Sequence, residues 1–147
     1  MWCLQSARLI YSLRGHTNCV SDFSLSPDNT KLASGSLDGT IRIWDLKTGS
    51  PYSVLQHGSG VYTVEFHPFF SEGLPLLLST GNDGLARIWR LTDTKPALMT
   101  FYCKSVGRDQ IRCAAFSLGG TKFFVGGTDG LLRAYKVPDL KSSEFVE

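Results

Sequence analysis

Residues 32–47, LASGSLDGTIRIWDLK, constrain this chain more than any other stretch. Two short apolar segments, 32–36 and 40–44, flank the dipeptide Asp38-Gly39. Asp-Gly between apolar runs predicts a β-hairpin, because Gly accepts φ > 0 at no steric cost. The pattern returns as LLSTGNDGLARIWRL (77–91) and FFVGGTDGLLRAYKV (123–137). Asp38, Asp83 and Asp129 are 45 and 46 residues apart. Each is followed four residues on by an arginine (Arg42, Arg87, Arg133) and six on by an aromatic (Trp44, Trp89, Tyr135). Self-similarity at this period marks a repeat architecture, in which one supersecondary unit buries its apolar face against the next.

The units are expected at about 15–50, 56–96 and 106–147, with 1–14 as the tail of a preceding one. Trp2 lies 14 residues before His16, much as Trp44 lies 13 before His57. Each unit opens on an alternating, half-buried strand (20–25, 61–66, 111–116). Ser26-Pro27-Asp28-Asn29 then supplies a turn, with Pro presetting φ and Asn tolerating the left-handed region. Residues 9–13 and 52–55 read as further strands, with Tyr11 in the core, and 144–147 as a last short one. From the first valine or isoleucine of each unit to its Asp is 18, 22 and 18 positions, so 67–75 carries a four-residue insertion. Insertions fall on rim loops, which predicts an exposed Phe69-Phe70 pair open to contact.

Composition narrows the function classes. A net charge of +2, with scattered basic residues, gives no polybasic strip for nucleic acid or an anionic membrane. The apolar runs are strand-sized and too short to span a bilayer. The N-terminus carries no basic-then-apolar leader, so no secretory signal is expected. The cysteines at 3, 19, 103 and 113 make no CxxC, and no His-x(3–5)-His completes a zinc site. No metal or cofactor is expected, and the cysteines read as small buried apolar residues of a reduced, intracellular protein.

Together with Gly15-His16 and Trp44-Asp45, the three in-register copies resemble the WD-repeat family across essentially the whole chain. That resemblance implies an all-β fold, a β-propeller of four-stranded blades numbering four to eight. Three blades plus the end of another do not close such a ring, so a fragment of a larger propeller is expected. The stretch Asp109 to Phe116 and the Tyr135 in place of Trp are similar to the propeller of bromodomain–WD-repeat chromatin proteins. This implies a nuclear rather than cytoplasmic location and association with chromatin.

The resemblance also assigns residues. His16, Ser34, Asp38 and Trp44 correspond to the family's buried hydrogen-bonded tetrad, and so do His57, Ser79, Asp83 and Trp89. The third unit keeps only Asp129, with Gly107, Val125 and Tyr135 at the other positions, so it is expected to be the least rigid. Partner binding is carried over to the narrow top rim: Cys19, Ser21 and Leu37, then Gly60, Tyr62 and Asn82, then Gln110, Arg112 and Thr128. Tyr62 and Arg112 are types enriched at hot spots. Arg42, Arg87 and Arg133 are weighed as an anion ladder and, in preference, as local partners of acidic or turn groups.

The function implied is a non-catalytic protein-interaction scaffold. Its partners are other proteins or peptides, with no small-molecule substrate, no direct membrane contact, and nucleic acid only indirectly. Two alternatives stand beside it. Trp44-Asp45-Leu46-Lys47 resembles the WDxR box of substrate receptors of cullin-type ubiquitin ligases, with Lys for Arg. A hydrolase could use His16 and Asp38 with Ser34, although no GxSxG elbow surrounds that serine.

Overall fold

The computed structural model describes residues 9, 12–70, 73–91, 97–102 and 110–137. Within them run β1 (Val20–Leu25), β2 (Lys31–Ser36), β3 (Thr40–Asp45) and β4 (Pro51–Gln56). Then come β5 (Val61–Phe66), β6 (Leu76–Gly81), β7 (Leu85–Arg90) and β8 (Ala97–Tyr102), followed by β9 (Ile111–Phe116), β10 (Lys122–Gly127) and β11 (Leu132–Lys136). They form three antiparallel meanders: β1-β2-β3-β4, β5-β6-β7-β8 and β9-β10-β11. The three sequence copies occupy one register, with Ser34 opposite Arg42, Ser79 opposite Arg87 and Val125 opposite Arg133.

The hairpins stand where Asp-Gly places them, but the turn is longer than two residues. Gly39 N–H donates to Ser36 O (3.1 Å), Gly84 to Gly81 (3.2 Å) and Gly130 to Gly127 (3.3 Å). Only the glycine takes positive φ (83°, 72° and 77°); the aspartate does not. This is a four-residue turn closed by a left-handed glycine, the bulged hairpin connection. It leaves the aspartate side chain free to fold back. One oxygen, Oδ1, accepts the N–H two residues on: Thr40 (2.9 Å), Leu85 (3.1 Å) and Leu131 (3.1 Å).

Because strand side chains alternate between faces, each sheet has a front and a back. The front of the first sheet (Ala33, Ile41, Ile43, Leu55) meets the back of the second (Val61, Val64, Phe66, Leu77, Trp89). The front of the second (Leu76, Leu78, Ala86, Ile88) meets the back of the third (Ile111, Phe123, Val125). Contact is densest along the inner strands, β1 and β2 against β5, then β5 and β6 against β9. Their backbone edges are capped from the neighbouring sheet. Asp22 accepts Val64 N–H (3.0 Å), Ser24 accepts Phe66 N–H (3.1 Å) and Glu65 accepts Phe116 N–H (2.9 Å). Stacked meanders with their first strands side by side are propeller blades, and three of them make a partial propeller.

Several expectations change. β1 was expected to be half-buried, yet Val20, Phe23 and Leu25 are 54%, 65% and 48% exposed. Their equivalents Val61, Val64 and Phe66 are 0%, 3% and 4% exposed. The difference is a missing neighbour, since the back of the first sheet has no described sheet against it. Phe69 and Phe70 are half-buried rather than exposed: Phe70 meets Phe66 edge-on at 4.8 Å and seals the first core. The insertion is anchored by buried His67, whose Nε2 donates to Gly120 O (2.9 Å) in the next sheet. Cys19 and Cys113 are exposed free thiols, not core residues, because one lies in the loop before β1 and the other beside Gly126, on the face of the third sheet turned away from the second. The strand expected at 9–13 is absent from its described positions, where Leu9, Ser12 and Leu13 are irregular. Trp2, Cys3, Tyr11, Cys103, Gly107, the connection 103–109 and the tail 144–147 lie outside the described residues.

Candidate functional site

In the first sheet, Asp38 Oδ2 accepts from His16 Nδ1 (2.9 Å) and from Thr17 N–H (3.0 Å). With that ring nitrogen donating, His16 Nε2 accepts the Ser34 hydroxyl (2.8 Å), and Ser34 Oγ accepts Trp44 Nε1–H (2.9 Å). Burial raises the Asp38 pKa, but bonds from the Thr40 hydroxyl, Thr17 N–H and His16 outweigh it and hold the carboxyl well below the usual range. The network ties the loop before β1 to the hairpin turn and to β2 and β3.

Its Asp–His–Ser order is that of a hydrolase triad, so access to Ser34 decides what it can do. Ser34 is buried and already accepts from Trp44. An open groove of about 300 Å³ lies beside it, lined by His16, Ser34, Trp44 and the apolar Leu13, Val20, Phe23 and Leu32. In the second sheet the equivalent surface, with Val61, Val64, Leu77 and Trp89, is filled by the first sheet. The groove is thus a copy of a sheet-packing surface. Among the described residues no group of three or more His, Cys, Asp or Glu is placed to hold a metal ion.

The second sheet keeps the residues of the tetrad but not its connections. Trp89 Nε1–H still donates to Ser79 Oγ (2.8 Å). Asp83 Oδ2, however, takes Arg87 (2.7 Å) in place of His57. Burial raises the Asp83 pKa, and the bond and charge of Arg87 reverse this, leaving it lowered. His57 is buried, with Arg87 Nη1 3.2 Å from its Nε2. Burial first, then the Arg87 charge, pushes its pKa down to about 4. In the third sheet Asp129 likewise bonds Arg133, which lowers its pKa.

The residue before the histidine accounts for this difference. A Cβ on Gly15 would lie 2.6 Å from Arg42 Nη1, so the first sheet stores its arginine against a bare backbone. Gln56 holds that position in the second sheet, and Arg87 turns to the aspartate. The expected local pairing therefore holds for Arg87 and Arg133. Arg42 differs: its Nε is buried without a hydrogen-bond partner.

The nine rim residues fall at three equivalent places. Leu37 N–H donates to Cys19 O (3.0 Å), Asn82 N–H to Gly60 O (2.8 Å) and Thr128 N–H to Gln110 O (3.0 Å). Ser21 turns inward, donating to Gly35 O and Val61 O (3.1 and 2.6 Å). Tyr62 Oη lies 3.1 Å from both Asn82 Oδ1 and Gln110 Oε1, and Gln110 Nε2 donates to Asn82 Oδ1. The Arg112 guanidinium sits 4.4 Å from the centre of the Tyr62 ring. Sequence reasoning missed the edge caps Asp22, Ser24 and Glu65. Their signal was a polar residue at alternate positions of the first strand of a sheet, Asp22 and Ser24 in β1, then Thr63 and Glu65 in β5. Burial, opposed by the Phe116 N–H bond and aided by the Asp22 charge, raises the Glu65 pKa.

Known proteins agree with this geometry. The profile of the family described as WD domain, G-beta repeat, matches residues 7–45 and 49–90. Jouberin of Mus musculus is 30% identical over 146 residues, covering 95% of this chain and 14% of the relative. Small ribosomal subunit protein RACK1y of Oryza sativa subsp. japonica is 30% identical over 148 residues, covering 93% and 40%. Retinoblastoma-binding-like protein E of Dictyostelium discoideum is 28% identical over 160 residues, covering 97% and 30%. The chain thus spans less than half the length of each of these relatives. None of the three is a bromodomain–WD protein, so these matches lend that finer resemblance no support. With both the profile and the blade geometry in agreement, the chain belongs to the WD-repeat family.

Proposed function

We propose that this chain is a non-catalytic part of a WD-repeat scaffold that binds a protein or peptide through its top rim. The observation that carries the reading is the cluster of Tyr62, Asn82, Gln110 and Arg112, which spans the second and third sheets and is held by side-chain contacts. Side chains already fixed before binding lose little entropy on association. Two relatives bear names that tie them to protein assemblies, one as a ribosomal subunit protein and one as retinoblastoma-binding-like. Affinity purification with the whole chain as bait tests the reading, with Tyr62→Ala/Arg112→Ala as the comparison. Partners lost with an unchanged circular dichroism spectrum support it; an unchanged partner set refutes it.

Against catalysis, the His16–Asp38 pair meets a serine shielded by Trp44 and recurs with altered connections in the second sheet. An intracellular, nuclear location and chromatin association extend the proposal, resting on cysteine usage and family resemblance, and fluorescent tagging tests them. A ubiquitin-ligase role would act through the exposed Lys47, and it requires that Lys47→Glu abolish adaptor pull-down.

A further inference from the structure

Building on the rim reading, we propose that the junction of the second and third sheets is a carboxylate-binding subsite. There Arg112 receives an aspartate or glutamate side chain of the partner peptide. The arginines of the hairpins are occupied internally: Arg87 and Arg133 pair with Asp83 and Asp129, and Arg42 packs against Gly15. Arg112 differs. It is exposed, its guanidinium rests on the Tyr62 ring at 4.4 Å, and no described carboxylate pairs with it.

The platform beneath it is fixed from two sheets. Tyr62 Oη is held by Asn82 and Gln110, and Gln110 N–H donates to Thr128 Oγ1 (3.1 Å) while Gln110 O accepts Thr128 N–H (3.0 Å). A planar guanidinium stacked on a ring keeps its edge donors free and pre-aimed, the geometry that suits a carboxylate bidentately. The carboxylates of the inner strands, Asp22 and Glu65, are committed to the Val64 and Phe116 N–H groups and do not compete. Among the nine rim residues Arg112 is the only charged one. One cation without a basic run around it matches a single acidic side chain better than the phosphate ladder of a nucleic acid.

The test is an NMR titration of the whole chain with two capped peptides, Gly-Glu-Gly-Glu-Gly and its glutamine counterpart. The acidic peptide is expected to shift rim resonances and bind at least about tenfold more tightly. Arg112→Gln should erase that preference, and Arg112→Lys should keep part of it. Equal binding of both peptides at the rim would overturn the carboxylate subsite while leaving the rim reading intact. No rim shift with either peptide would overturn the subsite, and the bait comparison above would still decide the rim. Tighter rim binding by a single-stranded oligonucleotide than by the acidic peptide would also overturn it.

Discussion

Val20 and Val61 are the same residue at the same place in two blades, one 54% exposed and the other fully buried. Replacing each by alanine therefore isolates what the neighbouring sheet contributes. Val61→Ala removes two buried methyl groups, worth about 0.8 kcal/mol each by transfer. The cavity they leave adds about 1 kcal/mol. The expected loss is about 2–3 kcal/mol, a large share of a domain's total of about 5–15 kcal/mol. Val20→Ala gives up roughly half the transfer contribution and leaves no cavity, so it should cost under about 1 kcal/mol. The loss of β-propensity is common to both and cancels in the difference. Urea unfolding of the 147-residue chain reads it as a shift in midpoint at unchanged slope. Equal losses, or a larger one at Val20, would mean that the back of the first sheet is covered and that the sheet stacking is wrong.

Four further outcomes follow from particular residues. His57 has its pKa lowered from 6.5 to about 4, so between those values the unfolded chain binds a proton that the folded chain refuses. Its contribution is complete above pH 6.5 and is lost as pH falls towards 4, by up to about 3 kcal/mol. Unfolding measured against pH should show this fall, and His57→Gln should flatten it. Gln56→Gly should give Arg87 the space that Gly15 gives Arg42, letting His57 bond Asp83; its imidazole pKa should then rise in an NMR titration, and no rise would refute the exchange. Glu65 has a raised pKa, so its ionised form is disfavoured on folding and stability is lost as pH rises through its titration. Glu65→Gln keeps an acceptor for Phe116 N–H and should raise the melting temperature at pH 7 but not at acid pH. Hydrogen exchange should be fastest in the third sheet, where Val125 and Tyr135 replace the tetrad's serine and tryptophan.

The repeat was legible in the sequence because its signals are local. Asp38-Gly39, the arginine four residues on and the aromatic six on specify a hairpin wherever they occur together. The equivalence of Cys19, Gly60 and Gln110 was legible too, since each accepts the N–H of the residue before a hairpin aspartate. What escaped depends on neighbouring sheets. Phe23 alternates like any half-buried strand residue, and only the sheet stacking shows that its side is uncovered. Phe69-Phe70 sits in an insertion, yet Phe66 and the core edge draw the pair inward. The tetrad of the second sheet reads as intact residue by residue. Its rewiring comes from Gln56, a residue outside the tetrad, through the path left to Arg87.

The proposed scaffold role requires that the Asp38–His16–Ser34 chain stabilise the fold rather than carry out a reaction. The most direct measurement is paired urea unfolding and ester hydrolysis on the wild-type chain and His16→Ala. Removing His16 strips a partner from both Asp38 and Ser34, which should cost about 1–3 kcal/mol. That loss of stability is the expected result, with no turnover in either protein. Turnover in the wild type that His16→Ala abolishes, at unchanged stability, would contradict it.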